Sequence, residues 1–211
     1  MGTYRQEVAI IDYGLGNLHS VAKALAHLGA DPVLVPRPED LDRYGRAILP
    51  GVGAFGAGMD RLERTGLAAA IRAHAAADKP LLGICLGMQV LFEVGQEGGR
   101  RPGLALLPGE VGPMVAPGLK VPHVGWNTVR LTQASPLTAA LADGGHFYFV
   151  HSFAAHAAAA ADLLGETTYG EPFAAIVRRG SVAGAQFHPE KSGRAGLTLL
   201  GNFLAWDGRC P

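Results

Sequence analysis

Cys85 lies between two glycines in the stretch Gly83–Gln89 (GICLGMQ), a setting from which a thiol can attack a substrate. The apolar run Lys79–Ile84 predicts a buried strand before it, and the apolar spacing over Met88–Glu93 predicts a helix after it. Glycines two residues to either side permit the sharp strand-to-helix turn of a nucleophile elbow. The start of a helix favours the thiolate, which makes Cys85 a candidate nucleophile. A small apolar residue in a packed core is the alternative, and this stretch alone does not decide between them.

A thiolate nucleophile needs a base and a group that orients the base, and the stretch Gln186–Glu190 (QFHPE) offers both. His188 closes a predicted strand, and Glu190 follows at the spacing that returns a side chain to the same face. Glu190 can therefore accept the Nδ1 proton of His188 and leave Nε2 facing the thiol. The order of these residues along the chain does not by itself show that they lie close together.

A glycine-rich stretch, Leu49–Gly56 (LPGVGAFG), follows another predicted strand. Its backbone N–H groups, together with that of Leu86, are candidates for an oxyanion hole. A phosphate cradle is the alternative, but the Gly-Lys-Ser/Thr sequence of a phosphate-binding loop is absent. Gly14–Gly16 likewise lacks the third glycine of a dinucleotide fingerprint, so we expect no nucleotide cofactor.

Composition and charge exclude several other classes of function. His123, His151 and His188 have no metal-ligand spacing, so we expect no metal. Basic and acidic residues number 18 each, which argues against nucleic acid or an anionic membrane as the main partner. No apolar run reaches about 18 residues, and Met1–Glu7 is polar and lacks the apolar core of a signal peptide. Two cysteines, the second being Cys210, cannot form a disulfide framework, and we expect a cytoplasmic protein.

The elements that would position these residues alternate in the first half of the chain. The predicted strands there are Glu7–Asp12, Pro32–Val35, Arg46–Leu49 and Lys79–Ile84, and the predicted helices are Asn17–Leu28 and Met59–Ala77. Strands alternating with helices imply a parallel sheet covered on both faces. In such sheets ligands bind beyond the carboxyl ends of the strands, where Cys85, the Leu49–Gly56 stretch and Gly14–Asn17 would converge.

After about Pro102 the pattern changes to short β segments with few helices. These segments are Val121–Leu131, His146–Phe153, Phe173–Arg178 and Val182–Phe187, with Ala154–Ala161 predicted as a loop or short helix and Ser192–Trp206 as an amphipathic helix. The predicted fold is therefore α/β: an open, mostly parallel central sheet with helices on both faces and an antiparallel β extension in the C-terminal half. The length of 211 residues suits one domain, residues 1–211.

Taken together, PGVG, GICLGMQ and FHPE resemble the motifs of the class I (triad) glutamine amidotransferases. Further stretches are similar to the glutaminase subunits of imidazole glycerol phosphate synthases, in the family's order and over nearly the whole chain. These are Asp12–Asn17 (DYGLGN), Leu49–Gly56, Val121–Asn127 (VPHVGWN), Tyr148–Phe153 (YFVHSF) and Phe187–Gly193 (FHPEKSG). Phe153 stands where the family pattern has tyrosine and Val124 where it has methionine, and neither change touches the candidate triad.

The resemblance implies that L-glutamine is hydrolysed and that its ammonia passes to a partner cyclase, a (β/α)₈ barrel acting in histidine biosynthesis, with no cofactor in this chain. It implies Cys85 as nucleophile, His188 as acid and base, and Glu190 as the group that orients His188. It places the oxyanion hole at Val52 and Leu86. The implied glutamine-binding positions are Gly53, Gln89, Glu97, Ser152 and Phe153, and the implied cyclase contacts are Asn17, Trp126, Tyr148 and Lys191.

Alternatives to this interpretation remain open at this point. The chain could serve another amidotransferase, such as those of anthranilate, aminodeoxychorismate or guanylate synthesis, hydrolyse γ-glutamyl compounds alone, or be an idle scaffold subunit. Individual positions have structural alternatives as well. Trp126 and Tyr148 suit core packing, and Gln89, Glu97 and Lys191 suit solvent exposure.

Overall fold

The structure, a computed structural model, describes residues 6–157 and 159–209. Cys210 and most of the N-terminal stretch Met1–Glu7 lie outside the described residues. Within the described ranges, none of the helices has the length and apolar character that crossing a membrane requires.

The described part of the chain forms thirteen strands and six α-helices. The strands are β1 (Glu7–Ile11), β2 (Asp31–Val35), β3 (Ala47–Gly51), β4 (Leu81–Cys85), β5 (Phe92–Gly95), β6 (Arg101–Pro102), β7 (Leu107–Pro113), β8 (His123–Leu131), β9 (Gly145–His151), β10 (Phe153–Ala157), β11 (Leu163–Tyr169), β12 (Glu171–Arg179) and β13 (Val182–Ala185). The helices are α1 (Leu18–His27), α2 (Pro38–Leu41), α3 (Phe55–Thr65), α4 (Leu67–Ala76), α5 (Leu86–Gln89) and α6 (Gly193–Ala205).

Nine strands form one sheet in the order β2-β1-β3-β4-β13-β12-β11-β8-β9. The first five run parallel, whereas the pairings from β13 through β12, β11 and β8 to β9 are antiparallel. The predicted α/β fold, with a parallel sheet and an antiparallel extension in the C-terminal half, is confirmed.

The side-chain alternation along β1 shows how the sheet is covered on both faces. Val8 and Ile10 belong to an apolar cluster that includes residues of α1 and α6, whereas Ala9 and Ile11 belong to a second cluster that includes residues of α3 and α4. Successive side chains of a strand point to opposite faces, so these helices cover opposite sides of the sheet. All four residues are fully buried, as expected for a strand between two helical layers.

A second sheet of four strands, in the order β10-β7-β5-β6, stands beside the carboxyl end of β4. The sequence analysis did not predict this sheet. The helix predicted over Met88–Glu93 is wrong: α5 is a single turn, and Phe92 instead pairs with Leu107 of β7. Ala154–Ala161 is also not simply a loop or helix, since Phe153–Ala157 forms β10.

The helix predicted over Met59–Ala77 is divided at Gly66 into α3 and α4. Gly66 has φ of +77°, the left-handed conformation that ends a helix and that glycine adopts without strain. The alanine-rich sequence directly after Gly66 begins the second helix, α4, at Leu67. α3 itself begins at Phe55, directly after the Gly51–Gly53 loop.

Candidate active site

The strand β4 ends at Cys85 in a sharp turn that leads directly into α5. Cys85 itself has φ of +54° and ψ of −113°, a strained conformation for a residue with a side chain and one found at functional sites. A Cβ atom on Gly87 would lie 1.7 Å from the carbonyl oxygen of Leu49, and one on Gly83 would lie 2.6 Å from that of Gly87. Both glycines are therefore required by close approach of backbone to backbone.

His188 and Glu190 follow β13, the strand that pairs with β4. The Nδ1–H group of His188 donates to Glu190 Oε1 at 2.8 Å, and both side chains are almost completely buried. Burial lowers the pKa of His188, but interactions with Cys85 and Glu190 outweigh it and raise that pKa to about 9. His188 Nε2 is buried and has no hydrogen-bond partner within the described residues. The ring thus has one nitrogen fixed by a carboxylate and the other free for chemistry.

Cys85 and His188 open into the same cavity, which has a volume of about 320 Å³. Nine of the predicted site residues line it: Val52, Gly53, Cys85, Leu86, Gln89, Glu97, Ser152, Phe153 and His188. Glu190 stands behind His188 and outside the cavity lining. Segments from five places along the chain therefore meet at the carboxyl ends of the parallel strands, where ligands bind in such sheets.

The glycine-rich loop lies directly beside the cysteine, because Gly51 of β3 is the register partner of Cys85. Val52 is 41% exposed at the cavity, and Gly53 has φ of +100°. A loop that follows a strand and contains glycine on both sides of an exposed peptide can direct backbone N–H groups into the cavity. This geometry suits stabilisation of negative charge on an oxygen bound next to the sulfur.

Gln89 and Glu97 are engaged in hydrogen bonds, so the alternative of simple solvent exposure is wrong for both. Gln89 is 5% exposed, and its Nε2 donates to Phe153 O at 2.9 Å and to Gln186 Oε1 at 3.1 Å. Glu97 Oε2 accepts from the backbone N–H of Phe55 at 2.7 Å. Phe55 is the first residue of α3, so Glu97 caps the helix that follows the glycine-rich loop.

Three of the four predicted partner contacts form one surface patch, with Trp126 on β8, Tyr148 on β9 and Lys191 in the 3-10 turn that follows His188. Trp126 and Tyr148 are register partners with ring centroids 6.0 Å apart, and Lys191 Nζ lies 5.9 Å from the Tyr148 ring centroid. Trp126 is 57% exposed, so it is not a core residue, and the neighbouring Val124 is 56% exposed. Asn17 stands apart from this patch at the start of α1, which packs against the turn that contains Lys191.

His151 and Gln186 contact the site, and the sequence analysis assigned neither of them a role. His151 lines the cavity, and its Nε2 lies 3.2 Å from Nδ1 of His123. Burial lowers the pKa of His151 to about 4, which keeps the ring neutral. No group of three or more His, Cys, Asp and Glu side chains in the described ranges could hold a metal ion. The YFVHSF and QFHPE stretches contain these two residues, and in the structure the N–H group of His188 donates to Tyr148 O at 2.9 Å, which joins the two stretches beside the cavity.

Comparison with known proteins identifies relatives over almost the whole chain. The family model for class I glutamine amidotransferases matches residues 9–205. The imidazole glycerol phosphate synthase subunit HisH of Moorella thermoacetica is 50% identical over 196 residues, 93% of each chain. The protein of the same name from Chromobacterium violaceum is 49% identical, covering 96% of this chain and 99% of its own.

Solved structures show the same fold at lower identity. A crystal structure of a glutamine amidotransferase superposes with a TM-score of 0.74 at 20% identity, covering 94% of this chain and 98% of its own. The structure of PurLQS from Thermotoga maritima has a chain that superposes with a TM-score of 0.71 at 20% identity, covering 95% and 98%. At such identities the likeness establishes the architecture alone.

Proposed function

The chain belongs to the class I glutamine amidotransferases, and from that premise we propose that it is the glutaminase subunit of an imidazole glycerol phosphate synthase. It hydrolyses L-glutamine to glutamate and ammonia and supplies the ammonia to a cyclase subunit in histidine biosynthesis. The observation that carries the proposal is the meeting of Cys85, His188 and the glycine-rich loop at one cavity, in a chain about half identical to HisH subunits along nearly its full length. We treat residues 1–211 as a single domain.

The proposed mechanism uses the thiolate of Cys85, the backbone N–H groups of the oxyanion hole and the imidazole of His188, one after another. Cys85 attacks the glutamine carboxamide as a thiolate, and the raised pKa of His188 keeps the imidazolium beside it at neutral pH. Backbone N–H groups of Val52 and Leu86 receive the negative oxygen of the tetrahedral intermediate. His188 then protonates the departing nitrogen, which leaves as ammonia, and a glutamyl thioester remains on the sulfur. His188 next removes a proton from a water molecule as that water attacks the thioester carbon. The carbon–sulfur bond then breaks, which releases glutamate and restores the Cys85 thiolate and the His188 imidazolium.

The substrate is held by the polar groups of the cavity wall. Gln89 donates both of its amide hydrogens within the protein, so only its Oε1 can contact glutamine. Glu97 adds a carboxylate to the same wall. An acceptor oxygen beside a carboxylate suits the α-ammonium group of an amino acid. Gly53, Ser152 and Phe153 complete the proposed contacts.

The partner is a cyclase subunit, for which we propose a (β/α)₈ barrel and a heterodimeric assembly. Its contact surface is the patch formed by Trp126, Tyr148 and Lys191, together with Asn17. Trp126 is 57% exposed and lies near the exposed Val124. It suits an interface anchor because buried aromatic side chains contribute much of the binding energy at protein–protein interfaces.

Control of the reaction by the partner follows from the chemistry of ammonia. Ammonia released into neutral water becomes protonated and loses its nucleophilicity, so hydrolysis without the cyclase wastes glutamine. We propose that the Gly51–Gly53 loop is the switch, because rotating one peptide would present or withdraw the Val52 N–H. Glycines on both sides of Val52 make this rotation accessible.

The test is to combine the chain with a cyclase subunit and compare glutamine-dependent with ammonia-dependent product formation. We expect both reactions with the native chain, and only the ammonia-dependent one with Cys85→Ala. Glutamine turnover by the Cys85→Ala variant would refute the mechanism. Activation by an anthranilate, aminodeoxychorismate or guanylate synthase subunit instead of the cyclase would refute the assignment. Equal glutaminase activity with and without any partner would indicate a hydrolase that acts alone and would refute the switch.

A further inference from the structure

We propose that Gln186 is a positioning residue for the nucleophile: its side-chain amide directs an N–H group at the sulfur of Cys85. The proposal rests on the proposed function, since it concerns the same thiolate, and it assigns a residue that lies outside the triad. Gln186 is completely buried, and its Nε2 is 4.0 Å from Cys85 Sγ. It follows β13, whose residue Ala185 is the register partner of Ile84, so the backbone brings the amide beside the cysteine.

The direction of the Gln186 amide is fixed by the groups around it. The carbonyl oxygen of Phe153 can only accept hydrogen bonds, so Gln89 must present its NH₂ group there. The second hydrogen of the same NH₂ group is donated to Gln186 Oε1. With that oxygen engaged, the NH₂ group of Gln186 is the part that faces the sulfur. The carbonyl group of Phe153 thus fixes the orientation of the Gln89 amide, which in turn fixes that of the Gln186 amide, so that the NH₂ group of Gln186 faces the sulfur.

The carbonyl of Phe153 is itself held in place from its other side. His151 Nδ1 lies 2.9 Å from it and must donate, because a carbonyl oxygen has no proton to give. His151 Nε2 is then an acceptor, and Nδ1 of His123 donates to it at 3.2 Å. The Phe153 oxygen therefore receives two hydrogen bonds, which oppose any rotation that would release the glutamines. These hydrogen bonds connect His123, a buried residue of β8, with Gln89 and Gln186 beside the sulfur.

An N–H dipole beside sulfur favours the thiolate over the thiol and restricts the rotation of Sγ. This contribution adds to that of His188, and it matters because α5 is a single turn and supplies little dipole of its own. The sulfur loses its negative charge as it attacks, so the amide acts on the nucleophile before attack rather than on the transition state. Removing the amide should therefore change thiol reactivity and its dependence on pH.

The test uses two variants that separate the two ends of the amide. Gln186→Met keeps the length of the side chain and removes both polar ends. Gln186→Glu retains an oxygen that can accept from Gln89 but turns a second oxygen, rather than an N–H, toward the sulfur. The titratable groups at the site stay unchanged in both variants, namely Tyr13, Glu97, His151, His188 and Glu190.

The measurement is the rate of alkylation by iodoacetamide between pH 5 and pH 10, with Cys85 and Cys210 quantified separately by peptide mass spectrometry. For Gln186→Met we expect the pH profile of Cys85 alkylation to move up by about one pH unit, which slows the reaction about tenfold on the acid side of the native profile, as expected from loss of one charge-assisted hydrogen bond. For Gln186→Glu the shift should be larger. Cys210 is the internal reference, and Gln133→Met, which removes an amide bonded to backbone in the antiparallel half, should leave the Cys85 profile unchanged.

A native rate and pH profile in Gln186→Met would overturn the proposal. A slower rate at every pH with no shift of the profile would also overturn it, since that result indicates a general disturbance of packing. If Gln186→Glu fails to fold, the methionine variant carries the test, because it buries no charge. Alkylation needs neither glutamine nor the cyclase. A native chain that hydrolyses no glutamine would therefore refute the proposed function and still leave this experiment decisive.

Discussion

Replacing Gly87 with alanine should separate the nucleophile from the oxyanion loop. A Cβ atom at this position would lie 1.7 Å from the carbonyl oxygen of Leu49 and 2.7 Å from its carbonyl carbon. Both atoms belong to the backbone of β3, which pairs with β4, so neither can turn aside as a flexible side chain would. Because real Cβ contacts essentially never fall below 3.0 Å, the two segments must move apart by more than 1 Å.

The size of the effect follows from this forced displacement. Overpacking a well-packed site costs roughly 1–3 kcal/mol, and a backbone-to-backbone collision belongs at the upper end of that range. For a domain of this size, about 3 kcal/mol corresponds to a loss of roughly 6–12 °C in melting temperature. A misplacement of about 1 Å among reacting groups can reduce the rate on the order of 100-fold. We therefore expect Gly87→Ala to lose both stability and cyclase-dependent glutaminase activity.

The assay pairs thermal unfolding with glutamine hydrolysis in the presence of the cyclase. Gly45→Ala is the matched control, because a Cβ there meets no atom within 4 Å and Gly45 does not have a left-handed backbone. It should melt at or slightly above the native temperature and retain full activity. If Gly87→Ala behaves like Gly45→Ala in both measurements, the elbow does not depend on contact with β3 and the reasoning is wrong.

Three further predictions concern charge, capping and the interface. The pKa of His188 is raised to about 9, so the contribution of this side chain to stability is full below about pH 6.5 and is lost as the pH rises through 9. The difference in the free energy of unfolding by denaturant between the native protein and His188→Asn should therefore shrink over that pH window. A difference that does not change with pH would contradict this prediction. Glu97→Gln should raise KM for glutamine about tenfold and leave the melting temperature unchanged, since the side-chain oxygen of glutamine still caps α3. Glu97→Ala should raise KM as well and should also lose about 1 kcal/mol of stability. Equal melting temperatures of the two variants would exclude the cap. Trp126→Ala should weaken cyclase binding, measured by calorimetry, by about fivefold or more. Leu34→Ala, at a residue of β2 that is 50% exposed against 57% for Trp126, should not weaken it. Equal effects of the two substitutions would exclude the patch.

The parallel half of the fold and the position of the cysteine were predictable because their signals are local. Each strand there is a short apolar run, and Cys85 lies at the end of one of them. The four-stranded sheet was not predictable from local signals. Phe92 continues an apparently helical spacing, yet it pairs with Leu107 because the four-stranded sheet offers a partner that the local pattern does not encode.

The polar surroundings of the site show the same limit. The hydrogen bond between His188 and Glu190 was predicted from their spacing, although the strand assumed for it ends earlier, at Ala185, and Glu190 lies in a single 3-10 turn over Pro189–Lys191. The link between Gln89 and Gln186 joins residues 97 positions apart, and nothing in either stretch identifies the other. Glu97 was assigned from the resemblance alone, and its bond to the N–H of Phe55 emerges only when β5 is placed beside α3.

The unsatisfied buried atoms of this fold show what the site costs in stability. Tyr13 Oη, His188 Nε2 and Glu190 Oε2 are buried without hydrogen-bond partners in the described part of the chain, and each such atom costs about 1–3 kcal/mol. Tyr13 Oη would lie 2.3 Å from a Cβ on Gly51, so it belongs to the same few ångströms as the elbow. A packing solution selected for stability alone would replace these groups with apolar ones. The grouping of these three atoms near Cys85, together with the strained backbone of that residue, is what a site kept for chemistry requires, whereas the other unsatisfied atoms in the described part of the chain belong to His74 and Arg178.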